Sequence, residues 1–329
     1  MIISEILKHA LDAVWEASHC CETIAENFRH NDSQTKGDAS PVTIADYASQ
    51  ALLIHRLTEM TPDLGIVAEE EGDELKSQPE MCDRIVEFVR EFEPKLTRDN
   101  LLSWMDRGNQ LEKDPKRFWT LDPIDGTKGY LRGGQYAVAL SLIERGKPIL
   151  GILGCPRYQE GDLKHKGMVF YGGADIPAAM VSSETATPRT IRVCDTVPPP
   201  EARLCESVES GHTSHERSAK LIDILGISKD VLRMDSQAKY AAVAHGAAAL
   251  YMRLPVKKGY REKIWDHAAG VAVIEAAGGK VTDLNGKKLD FSLGETLSAN
   301  RGVLATNGAL HHATLAALQT LTPEESKWE

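Results

Sequence analysis

Apolar residues recur at alternating steps of four and three from Ile3 through Leu7, Ala10, Val14, Ala17, Cys21 and Ile24 to Phe28, with charged residues between them. That spacing predicts one long amphipathic helix. After a polar stretch from Asn31 to Ser40, Pro41-Val42-Thr43-Ile44-Ala45-Asp46 leads into a second periodic run, Tyr47 to Met60, which Pro62 closes. Thr43 followed three residues later by Asp46 resembles a capping box and places Asp46 in a first helical turn. Ile66-Val67-Ala68 and Phe118-Trp119-Thr120-Leu121 are short, β-rich and end directly on acids, as buried strands ending at a site would. Val138 to Ile143 and Ile149 to Leu153 predict a hairpin, and Met168 to Tyr171 and Ile191 to Val193 two further strands. Lys76 to Lys116 is charged and without clear period outside Ile85 to Phe92, and is expected to be peripheral.

The Pro-rich connection from Ser182 to Pro200 is the expected boundary between an N-terminal α+β domain, residues 1–196, and a C-terminal α/β domain, residues 197–329. Beyond it, strands expected at Leu204 to Ser207, Val231 to Met234, Ala249 to Leu254, Lys280 to Thr282 and Val303 to Ala305 alternate with helices. Those helices are expected at Glu216 to Leu225, Lys239 to Gly246, His267 to Ala277 and His311 to Leu321.

Composition narrows the function classes. The 329 residues carry 48 acidic against 38 basic side chains, a formal charge of −10. This disfavours a nucleic-acid polymer or a membrane surface as partner. No apolar run approaches the roughly 20 residues that span a bilayer. Glu5, Lys8, Asp12 and Glu16 interrupt any signal-peptide core, so a cytoplasmic location is expected, with a monomer as the expected state. The six cysteines form no C-x-x-C pair and are expected to be packed, reduced thiols.

The most informative stretch is Trp119-Thr120-Leu121-Asp122-Pro123-Ile124-Asp125-Gly126-Thr127-Lys128-Gly129. Two carboxylates three residues apart, on a turn stiffened by Pro123, can both point at one hard cation. A helix starting near Thr127 would turn free N–H groups toward a bound anion. The competing reading is an acidic surface turn, against which the preceding apolar strand argues. Glu69-Glu70-Glu71-Gly72-Asp73-Glu74 reads either as a solvated charge run or as the source of one more carboxylate ligand. Asp266, in Trp265-Asp266-His267, reads alone as a helix cap and, with the other acids, as a ligand. Six bases against one acid between Lys239 and Lys263 leave a local positive excess that suits an anionic ligand. His212 and His215 lack the third ligand a zinc site needs.

Four blocks together resemble one family, the lithium-sensitive, magnesium-dependent phosphatases of the inositol monophosphatase superfamily. They are S-P-V-T-I-A-D ending at Asp46, V-A-E-E-E around Glu69, D-P-I-D-G-T from Asp122 to Thr127, and W-D-H-A-A-G around Asp266. Within the superfamily the chain is most similar to the 3′(2′),5′-bisphosphate nucleotidases. D-G-T-K-G-Y-L-R-G, G-H-T-S-H, D-S-Q-A-K-Y and Y-M-R-L-P carry that likeness, which extends from about residue 5 to 315. The resemblance implies an α/β (α+β) fold, a layered αβαβα sandwich of the inositol monophosphatase/fructose-1,6-bisphosphatase type. It implies two or more magnesium ions on Glu69, Asp122, the Ile124 carbonyl, Asp125 and Asp266. Asp46 and Thr127 would activate a water, and Thr127, His212, Ser236, Lys239, Arg253 and Asp266 would contact a nucleotide bisphosphate. The implied reaction is hydrolysis of the 3′-phosphate of adenosine 3′,5′-bisphosphate, with the 5′-phosphosulfate analogue as a further substrate. An inositol polyphosphate 1-phosphatase and a non-catalytic nucleotide sensor are the alternatives. Three consecutive glutamates, where many members have two, leave Glu69 and Glu70 competing for one ligand position.

Overall fold

The computed structural model describes residues 3–320 except 28–32, 36–40, 111–114, 160–166, 196–197, 210–214, 229, 256 and 258. The first apolar stripe forms α1 (Ile3–Asn27), where Ile6, Ala13 and Cys20 join Ala10, Val14, Ala17, Cys21 and Ile24 in the buried face. Phe28 lies outside the described residues. A small antiparallel ribbon, β1 (Ser33–Thr35) and β2 (Pro41–Thr43), precedes α2 (Ile44–Met60). Asp46 stands in the first turn of α2 as expected, while the Thr43 side chain lies outside the described residues. Every residue of α2 from Ile44 to Ile54 is buried. Such a helix must be enclosed on all sides.

The segment expected to be peripheral supplies much of that enclosure. After β3 (Gly65–Ala68) it folds into α3 (Gly72–Lys76), α4 (Pro79–Val89), α5 (Arg98–Arg107) and β4 (Asn109–Gln110). Both α4 and α5 pack on α2. Cys82, Ile85, Val86 and Val89 are buried at helical spacing on α4, and Leu101 and Met105 on α5. The expectation fails because these helices are short and separated by turns, so a longer window averages their periods away.

Next come β5 (Arg117–Asp125), α6 (Thr127–Leu131), the predicted hairpin β6 (Ala137–Glu144) and β7 (Lys147–Cys155), then β8 (Met168–Gly173), β9 (Ile176–Val181) and β10 (Arg189–Thr190). The eight-stranded sheet runs β10-β9-β8-β7-β6-β5-β3-β4, with its one parallel pairing between β3 and β5. The strand expected at Ile191–Val193 is instead β10, which ends at Thr190. The Val193 N–H turns away to donate to the Ala277 carbonyl.

The second sheet contains β11 (Leu204–Glu206), β12 (Leu232–Arg233), β13 (Leu250–Arg253), β14 (Lys280–Thr282) and β15 (Val303–Thr306), ordered β12-β11-β13-β15-β14. Four helices accompany it: α7 (His215–Leu225), α8 (Ala238–Ala244), α9 (Ala268–Ala276) and α10 (His311–Thr320). Their positions match the expected alternation to within a few residues at each end. Helices α1 and α2 cover one face of the large sheet, α8 and α9 lie between the sheets, and α7 and α10 pack together on the far side, α10 against β15. This is the expected αβαβα layering. Residues 196–197, at the expected domain division, lie outside the described residues.

Layer spacing depends on small residues where α9 crosses β7. A Cβ added at Gly151 would stand 2.2 Å from the Ala269 carbonyl oxygen. All six cysteines are free, and all but Cys194 are buried. Among the described residues no helix is long and apolar enough to cross a membrane.

On α10, His311 is buried with its ring nitrogens 3.0 Å from the Thr282 and Thr306 hydroxyls. Burial, helped by Lys280, pushes its pKa down to about 4. A depressed histidine stabilises the fold above the unfolded-state pKa and loses that contribution as pH falls from about 6.5 toward 4. Acid melting curves should therefore show a loss of about 1–3 kcal/mol over that window, the lower figure allowing for solvent screening of the ring. That loss should be largely absent in His311→Gln.

Candidate active site

The acids meet because of how two strands, β3 and β5, end and where helix α9 begins. Ala68 on β3 pairs in parallel with Leu121 on β5, so Glu69 and Asp122 lie side by side at the C-terminal end of that pairing. Strand β5 does not turn at Asp122, as expected from the sequence, but continues to Asp125. Asp122 pairs with Ala139 and Asp125 with Ala137, so one extra residue is accommodated on β5. In a regular strand, residues three apart face opposite sides; a one-residue bulge returns Asp125 to the side of Asp122. Asp122 Oδ1 accepts the Ile124 N–H at 3.1 Å within this bulge. Gly126 follows with φ +87°, a left-handed conformation that favours glycine, and a Cβ there would lie 3.1 Å from Ser236 Cβ. Thr127 then opens α6, its Oγ1 lying 3.3 Å from the Ile124 carbonyl and 3.5 Å from Asp46 Oδ1.

The opposite wall comes from the second sheet and its helices. The Gln237 N–H donates to Asp125 Oδ2 at 2.5 Å. The Gln237 side chain donates to the Trp265 carbonyl at 2.8 Å and accepts from the Gly270 N–H at 3.1 Å, bracketing Asp266. Asp266 is not the cap of α9. That position is His267, whose side chain makes no capping bond. His267 instead lies 2.7 Å from the Tyr240 hydroxyl and 3.2 Å from Glu262, which in turn pairs with Arg253 at 3.1 Å. The Lys239 ammonium donates to the Met234 carbonyl at 3.3 Å and sits 5.4 Å from the centre of the Tyr251 ring. Ser236 holds φ +67°, with its hydroxyl accepting the Ala238 N–H.

Carboxylate oxygens of Asp122, Asp125 and Asp266 lie within 4.8 Å of one another, and a second group, Glu262, Asp266 and His267, meets the same limit. Burial pushes the Asp122 carboxyl far above the usual range, reinforced by Glu69, Asp125 and Asp266. Burial also raises Asp125, against the pull of Lys239 and Arg253. Asp266 is pushed up to about 6 by burial, with Arg253 opposing and Asp125 reinforcing. Buried acids that repel one another in this way lack positive charge, and an all-oxygen donor set suits a hard divalent cation. The Glu262 group is different, because Arg253 already neutralises Glu262 and holds its pKa down despite burial.

A cleft of about 630 Å³ joins these walls. Glu69, Asp122, Ile124, Asp125, Thr127, Ser236, Lys239, Arg253 and Asp266 all line it, and Asp46 reaches it through Thr127. Of the basic excess, Arg261 and Lys263 line it too. His212 lies outside the described residues. His215 Nε2 is 3.0 Å from the Ser207 carbonyl, within the fold of its own segment. Between the competing glutamates, Glu69 is the one hydrogen-bonded to Asp122. Sequence reasoning missed Ser49, Gln50, Gln237, Glu262 and His267. His267 had a signal in its place beside Asp266, and Glu262 in being the lone acid of the basic stretch, close in sequence to His267 and Arg253; Ser49, Gln50 and Gln237 act on backbone atoms far along the chain.

The sequence pattern of the inositol monophosphatase family matches residues 3–322. A 3′(2′),5′-bisphosphate nucleotidase of Oryza sativa is 38% identical over 342 residues, covering 98% of this chain and 95% of the rice protein. One of Schizosaccharomyces pombe is 36% identical, covering 97% and 96% of the two chains. The fold is also that of an inositol monophosphatase from Anabaena, with a TM-score of 0.66, 23% identity and 98% of each chain covered. With the αβαβα layering and the acidic cleft, these likenesses establish that the chain belongs to the inositol monophosphatase family, as a hydrolase of the 3′(2′),5′-bisphosphate nucleotidase type.

Proposed function

We propose that the protein hydrolyses the 3′-phosphate of adenosine 3′,5′-bisphosphate to give AMP and phosphate, and also accepts 3′-phosphoadenosine 5′-phosphosulfate. The observation that carries this reading is one cleft in which Asp122 and Asp125 on one wall and Asp266 on the other repel one another, with Lys239 and Arg253 beside them on the second wall. Glu69, Asp122, the Ile124 carbonyl, Asp125 and Asp266 would hold two or more magnesium ions. Bound there, the metal would make water more acidic, neutralise phosphoryl oxygens and stabilise the leaving 3′-oxygen.

The chain's own groups do the rest. The Thr127 hydroxyl donates to ionised Asp46, which leaves its oxygen lone pairs directed at the attacking water; Asp46 then takes up the proton passed through it. Thr127, His212, Ser236, Lys239, Arg253 and Asp266 contact the nucleotide. Arg253 offers a planar fork held by Glu262, and Lys239 a point charge, for the phosphate that does not react.

Lys239→Ala is expected to raise KM for the bisphosphate by about 10- to 100-fold while kcat changes less, since a hydrogen bond to a charged group is worth about 1.5–3 kcal/mol. Steady-state kinetics check this, and an unchanged KM removes Lys239 from the site. The function itself is tested by phosphate release from a substrate panel with and without magnesium. A strong preference for inositol 1,4-bisphosphate would make the protein an inositol polyphosphate 1-phosphatase. Binding of the nucleotide without single-turnover phosphate release would make it a sensor.

A further inference from the structure

Three residues of α2, at positions i, i+3 and i+4 on one side of the helix, hold the segments that line the acidic cleft from behind. Asp46 meets Thr127; Ser49 Oγ donates to the Pro123 carbonyl at 2.9 Å, between Asp122 and Asp125. Gln50 takes both backbone groups of Glu70: its Nε2 donates to the carbonyl at 2.7 Å and its Oε1 accepts the N–H at 2.9 Å. Ser49 and Gln50 are wholly buried, and Glu70 nearly so. Water therefore has no access to replace these bonds, and a buried peptide group without partners is costly.

We infer that Gln50, supported by Ser49, is a positioning residue that fixes the spacing of the Glu69 loop against the Asp122–Asp125 bulge, and thereby sets the affinity for the divalent metal. The inference rests on the metal-dependent reading above. A primary amide is the side chain that complements a peptide group with one donor and one acceptor. It also adds no charge where Asp122, Asp125 and Asp266 already repel. Glutamate at this position would offer only acceptors when ionised, and asparagine is one methylene too short to span the same gap. The two carboxylate loops come from β3 and β5, whose pairing ends at Ala68 and Leu121. Beyond that point, among the described residues, no strand pairing holds Glu69 level with Asp122, and α2 takes over the role of the missing ladder.

The test is Mn²⁺ binding to the purified full chain, read by electron paramagnetic resonance of free Mn²⁺, with thermal melting and kinetics alongside. Gln50→Met keeps the side-chain length beside Met105 and removes both bonds. It should weaken Mn²⁺ binding by about 10- to 100-fold, the range for residues that orient metal ligands from behind. The magnesium concentration for half-maximal rate should rise in parallel, while KM for the nucleotide at saturating magnesium stays unchanged. A lowered melting temperature with wild-type Mn²⁺ affinity would show a merely structural role and overturn the inference. If Gln50→Met does not fold, Ser49→Ala is measured in the same way; weaker Mn²⁺ binding supports the inference and unchanged binding overturns it. Failure of the wild-type chain to bind Mn²⁺ would instead remove the metal-dependent reading itself, and this inference with it.

Discussion

Asp122→Asn is expected to lower metal-dependent kcat/KM by about 10²- to 10³-fold or more, on the scale of losing a group that stabilises developing charge. The metal-free protein should meanwhile be at least as stable as the wild type. The two effects have opposite signs for one reason. Asp122 is buried beside Glu69, Asp125 and Asp266, and burial and all three neighbours push its carboxyl up. A carboxyl raised in the folded state costs stability as pH climbs through and above the ordinary carboxylate range, because the unfolded chain loses its proton first. Asparagine removes that cost and keeps an Oδ1 to accept the Ile124 N–H at 3.1 Å. It also removes charge from a site whose proposed task is to hold cations. Phosphate release and melting of the metal-free protein at pH 7 check the two halves separately. A near-normal kcat would contradict the metal role, and a marked drop in melting temperature would show that Asp122 supports the fold instead.

Gly151→Ala carries the second large effect, this time on the fold. The added methyl would stand 2.2 Å from the Ala269 carbonyl oxygen, 2.9 Å from that residue's carbonyl carbon and 2.9 Å from Ala272 Cβ. None of these is the end of a flexible side chain. Either β7 or α9 must move, and overpacking a tight core costs about 1–3 kcal/mol or more. Asp266 lies just before α9, so displacement of the helix also moves this acid away from Asp122 and Asp125. Thermal melting should show the destabilisation, and Mn²⁺ affinity should fall with it. An unchanged melting temperature would mean that the layers adjust at that crossing more easily than the backbone contact implies.

The contrast between these two residues shows where the sequence is informative. Asp122 was legible because its chemistry is written locally, with two carboxylates, a proline and a glycine within a few positions after an apolar strand. Asp46, Thr127 and Asp266 became legible by joining blocks far apart in the chain into a family pattern. The helices α1, α2, α7 and α10 and the hairpin β6–β7 were legible from periodicity, since each extends over enough residues to show it. Of the short helices, α4 was legible only as a helical patch from Ile85 to Phe92 and α5 was not, and the segment carrying them, expected to be peripheral, encloses α2.

By itself, then, the sequence determined the layered α/β fold, the identity of the acids and the family. Tertiary structure decided how those acids are presented. The one-residue bulge that turns Asp125 to the side of Asp122 exists only in the pairing of β5 with β6. Gln50, Ser49 and Gln237 acquire their roles only because helices bring them against the backbone of Glu70, Pro123, Trp265 and Gly270. A carboxylate announces its chemistry through residue type and neighbours. An amide that grips a peptide group leaves no pattern in the chain, because its partner is a backbone that every residue shares.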